Sequence, residues 1–293
     1  VSPLLAVPNV SEGRDAGIVG QLAAALSGPS GAHSGGVRLL ATHTDPDHNR
    51  TVFTATGTAG ELAPALVALA AAALRLIDLR RHEGIHPRVG ALDVAPIVFT
   101  DDGDRGAACA EALLAADRIA EEVGLPVFLY GLLTEHRVTR AEIRRGGPQR
   151  LAERIASGEL TPDFGPPELH PTAGAVLVAA RPPLVAFNVE LAPPATVEDA
   201  KRIAALIRES GPEGLPGVRA LGLHLAARDV PQISTNIEDP AATSPAALID
   251  AISRHAVPAR AELVGLAPAS ALADLPPGLP LANRRTIEDA LSV

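Results

Sequence analysis

Short apolar runs alternate along the chain with alanine-rich stretches whose apolar positions recur at helical spacing. In the first half, Leu4–Pro8, Val37–Thr42, Thr51–Thr56, Leu92–Thr100 and Val127–Tyr130 have strand length and are bounded by Gly, Pro or Asp, so each predicts a strand. Gly17–Leu26, Glu61–Leu79, Gly106–Val123 and Pro148–Ser157 predict helices. Thr58-Ala59-Gly60-Glu61 reads as a capping box, in which threonine and glutamate each satisfy an orphan amide. Gly124, followed by Pro126, stops the third helix. Around Arg181-Pro182-Pro183 the pattern restarts, with strands predicted over Leu184–Leu191, Val218–Leu225, Pro231–Ile237 and Glu262–Leu266. Helices are predicted over Thr196–Ser210 and from Ser244-Pro245, where proline takes the first helical position. The tail from Ser270 predicts only a short last helix. The reading is therefore two α/β units in series, residues 1–182 and 183–293. Mixed or antiparallel sheets are expected, because several strand pairs have no helix between them.

Composition narrows the partners. Apolar residues make up 47% of the 293 positions but aromatics only 2%, which fits packed helices and strands and not a base-stacking platform. A formal charge of −9 argues against nucleic acid as partner, since phosphate neutralisation needs a net basic face. A small anion stays compatible. Every cation except Lys201 is arginine, whose rigid fork suits carboxylates, although such a ratio also follows from genome composition. Cys109 is the only cysteine, which excludes an internal disulfide and a thiolate zinc cage. The longest apolar run, Leu62 to Leu74, contains Pro64 and is too short to span a bilayer. No basic segment followed by an apolar stretch opens the chain, so the expectation is a cytoplasmic protein with no membrane partner.

Three segments concentrate chemistry. His82-Glu83-Gly84-Ile85-His86 matches the H-E-x-x-H zinc pattern, which needs both imidazoles on one helical face. Gly84 weakens a helix there and Pro87 pushes His86 away from helical geometry, so the match reads as accidental. Read as a loop, the stretch instead brings His86 and Arg88 from a helix into the strand Leu92–Thr100, where a neutral imidazole can accept a proton from an amine. The alternative is a histidine that only caps the preceding helix. In Asp45-Pro46-Asp47-His48-Asn49-Arg50, Asn49 and Arg50 could hold a carboxylate between them, or the segment is a polar turn between two strands. The third segment, Asp163-Phe164-Gly165-Pro166-Pro167-Glu168-Leu169-His170-Pro171-Thr172-Ala173-Gly174, is either a pre-ordered binding wall or a connector. The glycines from Gly28 to Gly36 do not match a phosphate loop and read as a surface turn. Arg137, Arg140, Arg144, Arg145 and Arg150 read as a solvated helix face, or in part as attractors of an anionic tail.

Taken in order, several segments resemble the glutamate formimidoyltransferase family. They are Val7-Pro8-Asn9-Val10-Ser11-Glu12-Gly13, Asn49-Arg50-Thr51-Val52, Gly84 through Val94, Asp163-Phe164-Gly165-Pro166, Ala186-Phe187-Asn188-Val189, Gln232-Ile233-Ser234-Thr235-Asn236 and Leu263-Val264-Gly265-Leu266. The resemblance implies two ferredoxin-like α/β subdomains enclosing a folate tunnel, a homodimer, and transfer of a formimidoyl group from N-formimidoyl-L-glutamate to N5 of tetrahydrofolate, as in histidine degradation. It places the family's catalytic histidine on His86, as general base, and its folate-contacting loop on Gly165 through Gly174. Asn9, Asn49, Arg50 and Arg88 become substrate-binding candidates, and no resident metal is implied. One departure stands out: where the family carries an aspartate six residues before Asn49-Arg50-Thr51, this chain has His43. Asp45, two residues along a strand and so on the same face, is the candidate to share its task with His43. Formyl transfer between 5-formyltetrahydrofolate and glutamate, and a folate-binding protein without catalysis, stay open beside this reading. No cyclodeaminase segment is evident.

Overall fold

The computed structural model describes residues 3–28, 36–136, 138–226 and 228–293. The chain divides into two compact units, Val1–Pro182 and Pro183–Val293. Among the described residues no helix is long and apolar enough to cross a membrane.

In the first unit, β1 (Leu4–Ala6) and β2 (Asn9–Val10) are two pieces of one strand. The break falls at Val7-Pro8, where proline has no N–H to give the ladder. Backbone bonds still tie the gap to its neighbours, from Val7 N–H to the Pro96 carbonyl and from Phe53 N–H to the Pro8 carbonyl, both 3.0 Å. This broken strand lies between β4 (Arg50–Gly57) and β5 (Leu92–Val98), antiparallel to both. Outside β4, β3 (Arg38–Asp45) pairs antiparallel. Helix α1 (Ala16–Ser27) precedes β3 and α2 (Leu62–Leu76) precedes β5. The result is a βαββαβ unit with its last, first, third and second strands side by side, the ferredoxin-like arrangement. Helix α3 (Arg105–Arg118), β6 (Val127–Leu129), α4 (Arg140–Ile143), α5 (Gly147–Ala156) and β7 (Val176–Arg181) extend it, with β7 parallel to both β5 and β6.

The two faces of this sheet differ. Helices α1, α2 and α3 pack on one face through Leu22, Leu66, Leu69 and Ala112 against Leu4, Phe53, Ala55 and Ile97. On the other face a smaller core joins Val94, Phe128, Tyr130 and Leu177 to Ile143, Leu151 and Ile155 of α4 and α5. Towards β3 and β4 that second face turns polar. Cross-strand pairs align His43 with Val52, Val52 with Asn9, and Asp45 with Arg50, so His43, Asp45, Arg50 and Asn9 share it.

In this first unit three features depart from the sequence reading. The strand β7 has no predicted counterpart: Val176 through Ala180 is buried on both sides, and such a parallel strand shows no alternation to betray it. The helix expected over Glu61–Leu79 ends at Leu76, because Asp78 accepts the Arg80 N–H and opens a separate turn at Leu79–Arg81. The capping box is only half formed. The Glu61 carboxylate takes the Thr58 N–H (2.7 Å) and hydroxyl (2.8 Å), but the threonine oxygen caps nothing. Instead Glu111 of α3 accepts from Gly60 N–H (2.6 Å) and Ala63 N–H (2.7 Å), a tertiary cap set opposite the positive end of α2.

The second unit repeats the βαββαβ plan. Strands β8 (Val185–Leu191), β9 (Val218–Leu225), β10 (Val230–Ile237) and β11 (Pro258–Val264) stand in the order β11, β8, β10, β9, all antiparallel. Helices α6 (Val197–Ile207) and α7 (Pro245–Ser253) bury one face through Ile203, Ile207, Leu248 and Ile252 against Phe187, Val189 and Ile233. Thr196 and Asp199 form a full capping box at α6, and Ser244 caps α7 ahead of Pro245. In the tail, β12 (Leu281–Ala282) adds a parallel edge to β11 before α8 (Ile287–Leu291). Two residues are too few to show a strand period, and the sequence reading passes over β12.

Candidate active site

The site is built on the turn that joins β3 to β4. Asn49 takes a left-handed conformation, φ 47°, which asparagine tolerates better than most side chains. Its carboxamide reaches in two directions: Oδ1 accepts from Gly13 N–H (2.9 Å) and Nδ2 donates to the Glu83 carbonyl (2.8 Å). The segment after β2 and the segment after α2 are thus both tied to this turn. Close approach demands glycine on each. A Cβ on Gly13 would stand 2.4 Å from the Asp45 carbonyl oxygen, and one on Gly84 would stand 2.5 Å from that of His48. Thr51 Oγ1 adds a bond to the Glu12 carbonyl (2.7 Å).

His86 lies in the extended segment that follows the Leu79–Arg81 turn. Arg88 holds that segment by donating to the carbonyls of His82 (2.8 Å), Gly84 (3.2 Å) and His86 (3.4 Å). Arg50 Nη1 lies 2.7 Å from His86 Nε2. A guanidinium can only donate, so Nε2 is the acceptor and the imidazole is neutral with its proton on Nδ1. The Pro87 backbone favours the protonated ring, the weakest of the influences on His86. Burial, Arg50, Arg144 and His48 together hold the His86 pKa well below the usual histidine value, with burial the largest cause. The His48 ring centroid is 5.9 Å away.

Around this pair stands a ring of charge. Asp93, fully buried on β5, accepts from Val89 N–H (2.7 Å) through Oδ1 and from Arg144 through Oδ2. Arg140 and Arg144, one helical turn apart, share a face, and the Arg140 guanidinium lies 5.8 Å from the Tyr130 ring centroid. Burial and the charges of Arg144 and Arg140 push the Arg50 pKa down to about 10, against the opposite pull of Asp93 and Asp45. His43 is lowered by burial and by Arg50 and His48, while Asp45 opposes the shift. Asp45 Oδ1 also accepts the His48 N–H (2.8 Å).

The structure therefore brings His86, Arg50, His43 and Asp45 into one charged neighbourhood, with Asn9 on the same sheet face. Asn49 and Arg88 belong to it differently, since their donors are spent on backbone carbonyls. The loop from Gly165 to Gly174 divides. At its end Gly174 bridges to Gly90 and Thr172 O accepts from Leu79 N–H (2.8 Å), which ties it to either end of the His86 segment, while His170 Nδ1 accepts from Ala173 N–H (3.1 Å) within the loop. At its start Gly165 packs on Leu125 and Ala120 near the head of β6. The zinc pattern loses its geometry: its residues follow the Leu79–Arg81 turn in non-helical form, and His82 Nε2 bonds to the Asn49 carbonyl (2.9 Å) while His86 Nε2 faces Arg50. Of the arginines read as a solvated face, Arg150 is exposed beside Glu153 and Glu159, but the Arg144 side chain is only 13% exposed and paired with Asp93. Arg137 lies outside the described residues, as do 29–35 of the glycine-rich turn. Asp93 was not singled out from the sequence; the signal that could have found it is an acid inside an apolar strand, where a carboxylate needs a partner.

Residues 4–181 match the family model described as the formiminotransferase domain, N-terminal subdomain, and residues 186–276 match the formiminotransferase domain model. A glutamate formimidoyltransferase from Streptococcus pyogenes serotype M1 is 36% identical over 277 residues, covering 92% of this chain and 90% of that protein. One from Thermoplasma acidophilum is 34% identical over 278 residues, covering 92% and 89%. A formimidoyltransferase-cyclodeaminase from Sus scrofa is 36% identical over 282 residues, covering 92% of this chain but 50% of that protein. The chain spans about half the length of the formimidoyltransferase-cyclodeaminases it matches.

Proposed function

The chain belongs to the formiminotransferase family, and on that premise we propose that it moves the formimidoyl group of N-formimidoyl-L-glutamate to N5 of tetrahydrofolate. The products are 5-formimidoyltetrahydrofolate and L-glutamate. One observation carries the reading: His86 Nε2 is an unprotonated acceptor, locked in one tautomer and surrounded by arginines. A base for an amine nucleophile needs that lone pair, and an anionic amino-acid donor needs those cations.

His86 removes the N5 proton as the new carbon–nitrogen bond forms, then returns it to the departing glutamate nitrogen. Proton transfer of this kind contributes about 10²–10⁴-fold, so positioning must supply much of the remaining acceleration. Arg50 meets a substrate carboxylate. Asn49 and Arg88 act as positioning residues, fixing the turn and the His86 segment through their backbone bonds. Asp45, with His43 beside it, supplies the charge that the family aspartate supplies. Asn9 lies on the sheet face offered to substrate, and the Leu169–Gly174 end of the loop is the part that meets folate beside His86. The same reading makes the protein a cytoplasmic homodimer acting in histidine degradation and one-carbon metabolism.

The test is an assay of tetrahydrofolate with N-formimidoyl-L-glutamate, following the 5-formimidoyl product after acid conversion. Product is expected, with turnover lowered about 10²–10⁴-fold in His86→Ala while folate binding persists. Unchanged turnover in His86→Ala would remove the histidine from the mechanism. No product from the unaltered protein, with 5-formyltetrahydrofolate and glutamate reacting instead, would transfer the reading to formyl chemistry.

A further inference from the structure

The Arg50–His86 contact sets a contradiction inside the proposed site. The lone pair that a base must offer to substrate is already taken by a guanidinium at 2.7 Å. The reaction needs that lone pair exposed, so something must draw the guanidinium off when substrate arrives.

The surroundings of Arg50 say what could do so. Arg144 and Arg140 stand on the same side, and both press on Arg50 electrostatically. Against these three cations stand two carboxylates, Asp93 and Asp45. Asp93 is committed to Arg144 and to the Val89 amide, and Asp45 to the His48 amide. The neighbourhood therefore gathers three guanidiniums around two carboxylates that already accept hydrogen bonds. It also contains polar atoms without protein partners: Arg144 Nε is a buried donor with none, and so is the hydroxyl of Tyr130, a residue 6% exposed beneath Arg140. A carboxylate suits such a place, because it brings a negative charge to the guanidiniums and accepts several hydrogen bonds.

We propose that Arg50 is a latch on His86 opened by a substrate carboxylate, which seats among Arg50, Arg140 and Arg144 and turns the guanidinium from His86 Nε2 to itself. The inference rests on His86 being the base. Arg50 then both binds the substrate and acts through His86: before binding it keeps the imidazole neutral and masked, and after binding it leaves Nε2 facing the reacting nitrogen. The arriving charge also opposes the positive field of Arg50 and Arg144 at the imidazole, which raises its affinity for a proton towards the range where a base works at neutral pH. His48, Asp45 and Asp93 complete the charged groups that face this pair, and His43 borders Arg50. The carboxylate has two sources, the glutamate of the formimidoyl donor and the glutamate tail of the folate.

The experiment is an NMR titration of the histidine Cε1–H signals, with His86 assigned through His86→Gln, in the presence and absence of a probe anion. One arm uses L-glutamate and the other p-aminobenzoyl-L-glutamate, which separates the two sources. Either probe at saturation is expected to raise the His86 pKa by roughly 1–3 units, the effect of an opposite charge a few ångströms away. In Arg50→Gln the probe-free value should start higher and the probe-induced rise should shrink. Arg140→Gln, which leaves the Arg50–His86 contact in place, should keep the low starting value and require more probe. No shift with either anion overturns the latch, and so does a shift of undiminished size in Arg50→Gln. Neither probe turns over, so a failed transfer assay and a failed latch are read separately.

Discussion

Replacing Asp93 by asparagine removes one charge from the centre of the site and little volume. The side chains of Asp93 and Arg144 are 2% and 13% exposed, so water does little to screen the pair. Taking one partner from a buried ion pair leaves the other charged and desolvated, at a cost of roughly 3–5 kcal/mol. Asparagine still offers an oxygen to the Val89 N–H, which keeps one of the two bonds and places the expected loss near the low end, about 3 kcal/mol. The chain has no Trp and one Tyr, so far-UV circular dichroism in urea is the general probe. The near-UV signal of Tyr130, which sits in the same small core as Ile143 and Leu177, reports the first unit separately. Arg144→Gln and the double variant close a cycle, and the coupling between the two sites should reach about 1–3 kcal/mol. Asp93→Asn should also weaken use of the formimidoyl donor, because Arg144 then loses its anchor beside Arg50. A loss below about 1 kcal/mol together with no measurable coupling would refute the reasoning, since it would mean that the pair is solvated.

Two further outcomes follow from other parts of the first unit. The acid limb of kcat/KM, which reports the free enzyme, should lie below pH 6.5, because the folded His86 binds its proton less readily than an ordinary histidine. The acid limb of kcat, which reports the complex, should lie at higher pH if a bound carboxylate restores that affinity, and coincident limbs would count against the latch. Glu111→Ala should cost about 2–3 kcal/mol in urea unfolding, because it strips the amides of Gly60 and Ala63 of their acceptor and leaves that of Ala63 buried. A change under 0.5 kcal/mol would mean that water replaces the carboxylate at the head of α2.

Local pattern was enough for most of the architecture. Runs such as Thr51–Thr56 and Leu92–Thr100 alternate or stay apolar over strand length, and Thr196, Ser244 and Gly124 mark helix ends through bonds that span only a few residues. Information of that range lies within a few consecutive letters, so it survives without the fold. The neighbourhood of Asn49-Arg50, His86 and the Gly174 end of the loop was legible as a family resemblance, whereas the Gly165 end lies near the head of β6. What each residue does there was not legible. Asn49 and Arg50 are adjacent letters, yet one ties two loops together and the other meets His86, because the left-handed turn at Asn49 sends them apart. Arg144 reads as another surface arginine until α4 is laid over β5, 51 residues away in the chain, and Asp93 receives it. The H-E-x-x-H letters promise two imidazoles on one helix, but Asn49, Arg50 and Arg88 pull the segment into an extended path. Glu111 caps a helix to which it does not belong. In each case the deciding partner is distant in sequence. A buried charge or an orphan amide states only that it needs a partner, and tertiary packing alone decides which side chain arrives.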